Sequence, residues 1–162
     1  MQKERRVPPL TLFATALITL VMDQLSKAIV RIHLPLGETV SLGFLEFRQV
    51  RNPGTAFGLI TSKAWPLFVV SIVLFFVLIL VLWKWGGPGS RVFQMGLGLI
   101  IGGALGNIID RLTLGEVVDF IDVGFWPVFN IADIAIVAGV GIVLVIVAKQ
   151  TWKGENEADR ET

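Results

Sequence analysis

The chain has 162 residues, 54% hydrophobic and 17% charged, with a net charge of +1 and a mean hydropathy of +0.74. Soluble domains average about 25% charged residues, so this apolar excess overfills one water-soluble core and makes the bilayer the expected solvent. No clustered basic face offers a nucleic-acid footprint, cysteine is absent and His33 is the single histidine, which excludes disulfides, thiolate catalysis, Cys-bound zinc and His-rich metal sites.

Four apolar stretches meet the spanning requirement of roughly 20 residues. They run over about 10–30, 64–83, 92–109 and 131–148, and they predict one membrane domain over 1–162. The first follows Lys3, Arg5 and Arg6 as a signal peptide would, but it continues past Asp23 without a small-residue cleavage site. It is therefore read as a span, interrupted by Asp23 and Lys27. The next segment, 31–63, is more than a connector. Val40, Leu42, Leu45 and Phe47 partly alternate, and Gly43-Phe44 suits the turn of a β-hairpin over 38–50. Thr55 to Ile60 is short and apolar and is expected to lie on the membrane surface. The second and third spans carry no charge, and Trp65, Trp83 and Trp85 stand at span ends as interfacial anchors do. In the third, Gly98, Gly102 and Gly106 repeat the G-x-x-x-G spacing of close helix packing. The loop 110–130 holds Asp110, Glu116, Asp119 and Asp122, and Asp133 opens the fourth span after Asn130, a plausible N-cap.

Basic residues set the orientation. Lys3, Arg5, Arg6, Lys84, Arg91, Lys149, Lys153 and Arg160 crowd short segments on one side. Arg31, Arg48, Arg51, Lys63 and Arg111 are spread over the longer opposite loops. Both termini are thus expected to be cytoplasmic. In that arrangement Asp23, Lys27, Asn107, Asp110, Arg111, Asn130 and Asp133 all fall toward the outer ends of their spans, with Asp119 in the loop between the last two.

A charge in hydrocarbon costs at least about 2.5–3.5 kcal/mol and must be paired or line a polar cavity. Asp23 and Lys27, at i and i+4, can pair on one helix face. A neutralising salt bridge and a direct role both fit them. Asp110 and Arg111 are adjacent, point to different sides, and are each expected to bond to a neighbouring element as scaffold. Asp119 sits among Val117, Val118 and Phe120 with no cation beside it. Asp133 lies in a first helical turn, where the dipole favours an anion. Two carboxylates brought close share a proton, which suits peptide hydrolysis; two unrelated carboxylates facing outer water are the other reading. Ser26-Lys27 is no Ser–Lys pair, since adjacent helix residues diverge by about 100° (3.6 residues per turn). His33 is expected in a loop, solvated.

Five blocks now stand in order: Asp23-Gln24-Leu25-Ser26-Lys27, Asn52-Pro53-Gly54-Thr55-Ala56-Phe57, Gly103 through Asn107 to Asp110-Arg111, Val117-Val118-Asp119-Phe120 and Phe129-Asn130-Ile131-Ala132-Asp133. Together they resemble the signature blocks of the bacterial lipoprotein signal peptidase family, signal peptidase II, over about 10–150. Ile134 departs from the small or polar residue expected after Asp133. The resemblance implies an all-α membrane protein of four transmembrane helices with a small extracytoplasmic β-cradle and a short surface helix. The hairpin at 38–50 and the loop at 110–120 fit the two extracytoplasmic features. It also implies an aspartic endopeptidase of the inner membrane that cleaves prolipoproteins before a diacylglyceryl-modified cysteine. Asp119 and Asp133 match the catalytic dyad. Asn107, Arg111 and Asn130 match residues that support it and bind substrate, and Asn52 and Gly54 join the same substrate-binding and support group. Asp23, Lys27 and Asp110 match structural polar positions. Membrane lipid is an expected partner, the protein is expected to be a monomer, and no metal or organic cofactor is implied. A small proton-coupled transporter or a non-catalytic assembly factor would also hold buried carboxylates. Against a transporter, no span is broken and polar at mid-depth and no inverted repeat is visible.

Overall fold

The computed structural model describes residues 9–53 and 90–158. Their order is α1 (Leu10–His33), β1 (Thr39–Leu42), β2 (Leu45–Asn52), α2 (Arg91–Leu114), β3 (Val117–Asp122) and α3 (Ile131–Ala158). All three helices are long and apolar enough to cross a bilayer; 24 residues at 1.5 Å each give about 36 Å against a hydrocarbon core of about 30 Å. The predicted span 64–83, the surface segment Thr55 to Ile60 and Gly54 lie outside the described residues.

Helix α2 is the central element, and glycine makes it so. A Cβ at Gly98 would fall 2.7 Å from the Leu12 carbonyl oxygen, one at Gly102 would strike the Ala16 carbonyl, and one at Gly106 would strike the Asp23 carboxylate. The G-x-x-x-G stripe is therefore the seam with α1, as its spacing predicts. A second seam faces α3, where Gly96 and Gly139 oppose each other and Gly103 meets Ala132. Phe93, Leu97, Ile100, Val140 and Val143 fill the space along this seam. On α1, Phe13, Leu17, Ile18, Met22, Leu25 and Ile29 are exposed. Such apolar exposure is unfavourable in water and suits a helix solvated by lipid.

The three strands form one antiparallel sheet in the order β1-β2-β3. The predicted hairpin is present: Leu42 pairs with Leu45 across Gly43-Phe44, and Gly43 has φ 75°, the left-handed conformation that two-residue hairpin turns need. The second strand continues to Asn52, beyond the expected end at 50. The third strand corrects the expectation of a loop. All six residues of β3 are buried, so the Val-Val-Asp-Phe-Ile run shows none of the alternation that marks a half-buried strand. Helix α2 also runs five residues past the expected end at 109, stopping at Gly115 with φ 78°. Asp110 and Arg111 are thus helical, and the segment 110–120 is helix end, turn and strand. His33 is the last residue of α1, still exposed. Helix α3 outlasts its predicted end at 148.

Two details of register place the site. Phe47 pairs with Ile121 and Val50 with Asp119, so β2 holds one residue more than β3 between these pairs, a β-bulge. Beyond it Asn52 lies opposite Val117, which makes Asp119 its diagonal neighbour on the same face. At the other edge of β3, Ile121 and Phe129 exchange backbone hydrogen bonds of 2.8 and 3.0 Å. That bridge sets Asn130 and the start of α3 beside Asp119.

Candidate active site

Polar side chains from α1, α2, β2, β3 and the head of α3 converge in one layer. Its lower part is built on Lys27, 1% exposed. The ammonium lies 2.9 Å from Asp23 Oδ2 and 3.0 Å from Asp110 Oδ2. The i, i+4 pair read from sequence is present. Asp110, however, takes its cation from α1 across the helix seam, not from adjacent Arg111. Each carboxylate also accepts a backbone N–H from the element it adjoins. Ala132 N–H donates to Asp23 Oδ1 at 2.9 Å, which caps the first turn of α3, and Val118 N–H donates to Asp110 Oδ2 at 3.1 Å. Burying ions is costly unless every lone pair is used, and here Gln24 completes the set. Its amide donates to Asp23 Oδ2, Asp110 Oδ1 and the Gly106 carbonyl at 3.1–3.2 Å. Gln24 went unassigned in the sequence because an amide beside two stronger signals, Asp23 and Lys27, carries no charge or spacing of its own.

The upper part is built on asparagines. Asp119, 2% exposed, accepts from Asn52 Nδ2 at 2.9 Å on Oδ2 and from Asn130 Nδ2 at 2.7 Å on Oδ1. Asp133 accepts from Asn107 Nδ2 at 2.9 Å on Oδ1 and from the Asn130 backbone N–H at 3.2 Å on Oδ2. In return, Asp133 N–H donates to Asn130 Oδ1 at 3.0 Å. This reciprocal pairing is a capping box with Asp in the Glu position, and it confirms Asn130 as the N-cap of α3. One residue, Asn130, therefore touches both carboxylates, and its own amide also donates to Asn107 Oδ1 at 3.1 Å. Burial and the neighbouring Asp133 push the Asp119 carboxyl up to about 7, against the opposing pull of the Asn52 and Asn130 hydrogen bonds.

The remaining predicted positions separate from this group. Arg111 is exposed, and its guanidinium donates to the Asn107 carbonyl of its own helix at 3.4 Å. Among the described residues, that bond within α2 is the one Arg111 makes, in place of the expected bond to a neighbouring element. Two ion pairs escaped sequence reading: Arg51 with Glu116 at 3.3 Å and Arg48 with Asp122 at 2.6 Å. Both join β2 to the ends of β3, and no pattern signals them until the strands are paired. Asp122 also accepts the Gly124 N–H at 2.8 Å. That bond, ahead of the Arg48 guanidinium, holds its carboxyl below the usual carboxylate range. Among the described residues no group of His, Cys, Asp and Glu could hold a metal ion.

The family model for signal peptidase II matches residues 15–149. The chain belongs to the signal peptidase II family. A lipoprotein signal peptidase from Moorella thermoacetica is 45% identical over 127 residues, covering 77% of this chain and 84% of that one. One from Syntrophomonas wolfei is 43% identical over 141 residues, covering 86% and 93%. A solved bacterial membrane enzyme superposes with a TM-score of 0.65 at 32% identity, covering 87% of this chain and 89% of its own. Family and fold agree with an integral membrane peptidase built on apolar helices and a small antiparallel sheet. Nothing in these likenesses favours a transporter.

Proposed function

We propose that this protein is an aspartic endopeptidase that removes signal peptides from prolipoproteins, with Asp119 and Asp133 as its catalytic dyad. The observation that carries the reading is the single asparagine, Asn130, bonded to both carboxylates, while Lys27 contacts two other aspartates. Two neighbouring carboxylates with no cation in contact among the described residues do not both ionise easily. The near-neutral titration of Asp119 suits the member that carries it. Asp133, in the first turn of α3 with two N–H donors, suits the anion.

Hydrolysis then proceeds as acid–base chemistry. Asp133 takes a proton from water as the oxygen adds to the scissile carbonyl carbon, and Asp119 gives its proton to the carbonyl oxygen. On collapse, a hydroxyl of the tetrahedral species returns a proton to Asp119, the C–N bond breaks, and Asp133 protonates the leaving amine. Both groups end as they began. Asn52, Asn107 and Asn130 hold the carboxylates, and Arg111 and Gly54 are assigned to peptide binding.

The same reading covers the architecture. It has a single domain of four spans, the fourth supplied by 64–83, with a surface helix after Asn52 and both termini in the cytoplasm of a bacterial inner membrane. The substrate is cleaved before a diacylglyceryl-modified cysteine, whose lipid stays in the outer leaflet while the dyad at the outer helix ends meets the peptide bond. The protein works as a monomer in contact with membrane lipid. The test is purified enzyme in liposomes with a diacylglyceryl-modified prolipoprotein: wild type releases the signal peptide, and neither Asp119→Asn nor Asp133→Asn does. Processing by either variant refutes the dyad.

A further inference from the structure

Lys27 does more than neutralise its two carboxylates. An ammonium has three donors, and here the third goes to a neutral atom, Asn107 Oδ1, at 2.9 Å. The same oxygen accepts Asn130 Nδ2 at 3.1 Å. Both lone pairs of that oxygen are then used. A reversed amide would set its NH2 hydrogens against the ammonium and the Asn130 amide, donors facing donors. The Asn107 amide can therefore stand only with Nδ2 toward Asp133 Oδ1, the 2.9 Å contact observed. A cation on the oxygen also polarises the amide and strengthens its N–H as a donor. The chain of contacts runs from α1 through α2 to α3: Lys27, Asn107, Asp133.

We propose that Lys27 is a positioning residue of the reaction, acting through the Asn107 amide to fix the Asp133 carboxylate that receives the proton of the attacking water. The proposal rests on the dyad reading. It differs from a counter-ion role in a way that can be measured, since a counter-ion is dispensable once the charges it balances are removed.

The test uses the full-length enzyme in liposomes with a diacylglyceryl-modified prolipoprotein, reading kcat, KM and thermal midpoint. Lys27→Met alone strands two buried carboxylates and is expected to unfold readily. The Asp23→Asn/Lys27→Met/Asp110→Asn variant removes the charge and keeps oxygen acceptors for Ala132 N–H and Val118 N–H. It is expected to regain a near-native thermal midpoint yet remain at least about tenfold down in kcat with little change in KM, the signature of an interaction that matters in the transition state. Replacing Met by Gln in that background restores a donor toward Asn107 without charge and should recover part of the kcat. A second cycle keeps the charge and so the fold. Lys27→Arg and Asn107→Ala act in series, so the double variant should match Asn107→Ala alone, not the product of the two losses. Wild-type kcat in the neutral Met variant, or multiplicative losses in the cycle, would overturn the positioning role. Turnover by Asp119→Asn or Asp133→Asn would instead refute the dyad itself.

Discussion

Two pairs of aspartates share one polar layer, and they are held in opposite ways. Asp23 and Asp110 flank an ammonium and accept backbone N–H groups from the starts of α3 and β3. Asp119 and Asp133 flank an asparagine and, among the described residues, accept hydrogen bonds from neutral donors. The first arrangement has fixed charge and ties four elements together. The second has no cation in contact with either carboxylate among the described residues, which favours uptake of a proton. Proximity of carboxylates therefore does not by itself distinguish the two pairs; the charge of the group between them does.

The comparison is broken most directly by amide substitution. Asp119→Asn and Asp133→Asn should each lower kcat by about 10²–10⁴-fold, the usual worth of general acid–base catalysis. Their thermal midpoints should stay close to wild type, because an amide keeps an acceptor oxygen. Asp23→Ala should do the reverse. It exposes no chemistry but strips Lys27 of one partner and α3 of its cap, at roughly 3–5 kcal/mol of stability as for a broken buried pair, measured by denaturation in detergent. If its main effect is on kcat in a fully stable protein, the division between the two pairs fails. Gly106→Ala comes next. Its methyl group would strike the Asp23 carboxylate, and overpacking of this kind costs about 1–3 kcal/mol.

The pH dependence sharpens the contrast. A carboxyl raised by folding binds its proton more tightly in the native state, so Asp119 makes stability fall as pH rises from 3.8 to about 7 and adds no slope above. Asp119→Asn should remove that slope. In the wild type, kcat/KM should decline with an alkaline limb near pH 7, as the acid loses its proton. Asp122 has the opposite sign. Its depressed carboxyl supports folding above the ordinary carboxylate range and stops doing so as pH falls through its folded value. Its partner Arg48 is about half exposed, so Arg48→Ala should give the smallest effect, under about 1 kcal/mol with unchanged kcat.

Much of this molecule is legible in the chain itself. The three described spans follow from apolar length, since a helix must satisfy its own backbone in lipid. Close packing of α2 follows from the spacing of Gly98, Gly102 and Gly106, where a Cβ would strike α1. Asn130 as a cap and Asp23 with Lys27 as a pair follow from local spacing along one helix. Strand β3 was not legible, because burial of both its faces erases alternation. Nor were the α2 extension that turns Arg111 outward, the partnership of Asp110 with Lys27, or the bond from Asn52 to Asp119. Those contacts join residues far apart in sequence, and distances across a seam depend on how helices and strands pack. The chain alone places Asp23, Asp110 and Asp133 toward one end of their helices. Packing settled that Asp110 shares the Lys27 cation while Asp119 and Asp133 share the Asn130 amide, because those contacts depend on which side chain is set between elements far apart in the chain.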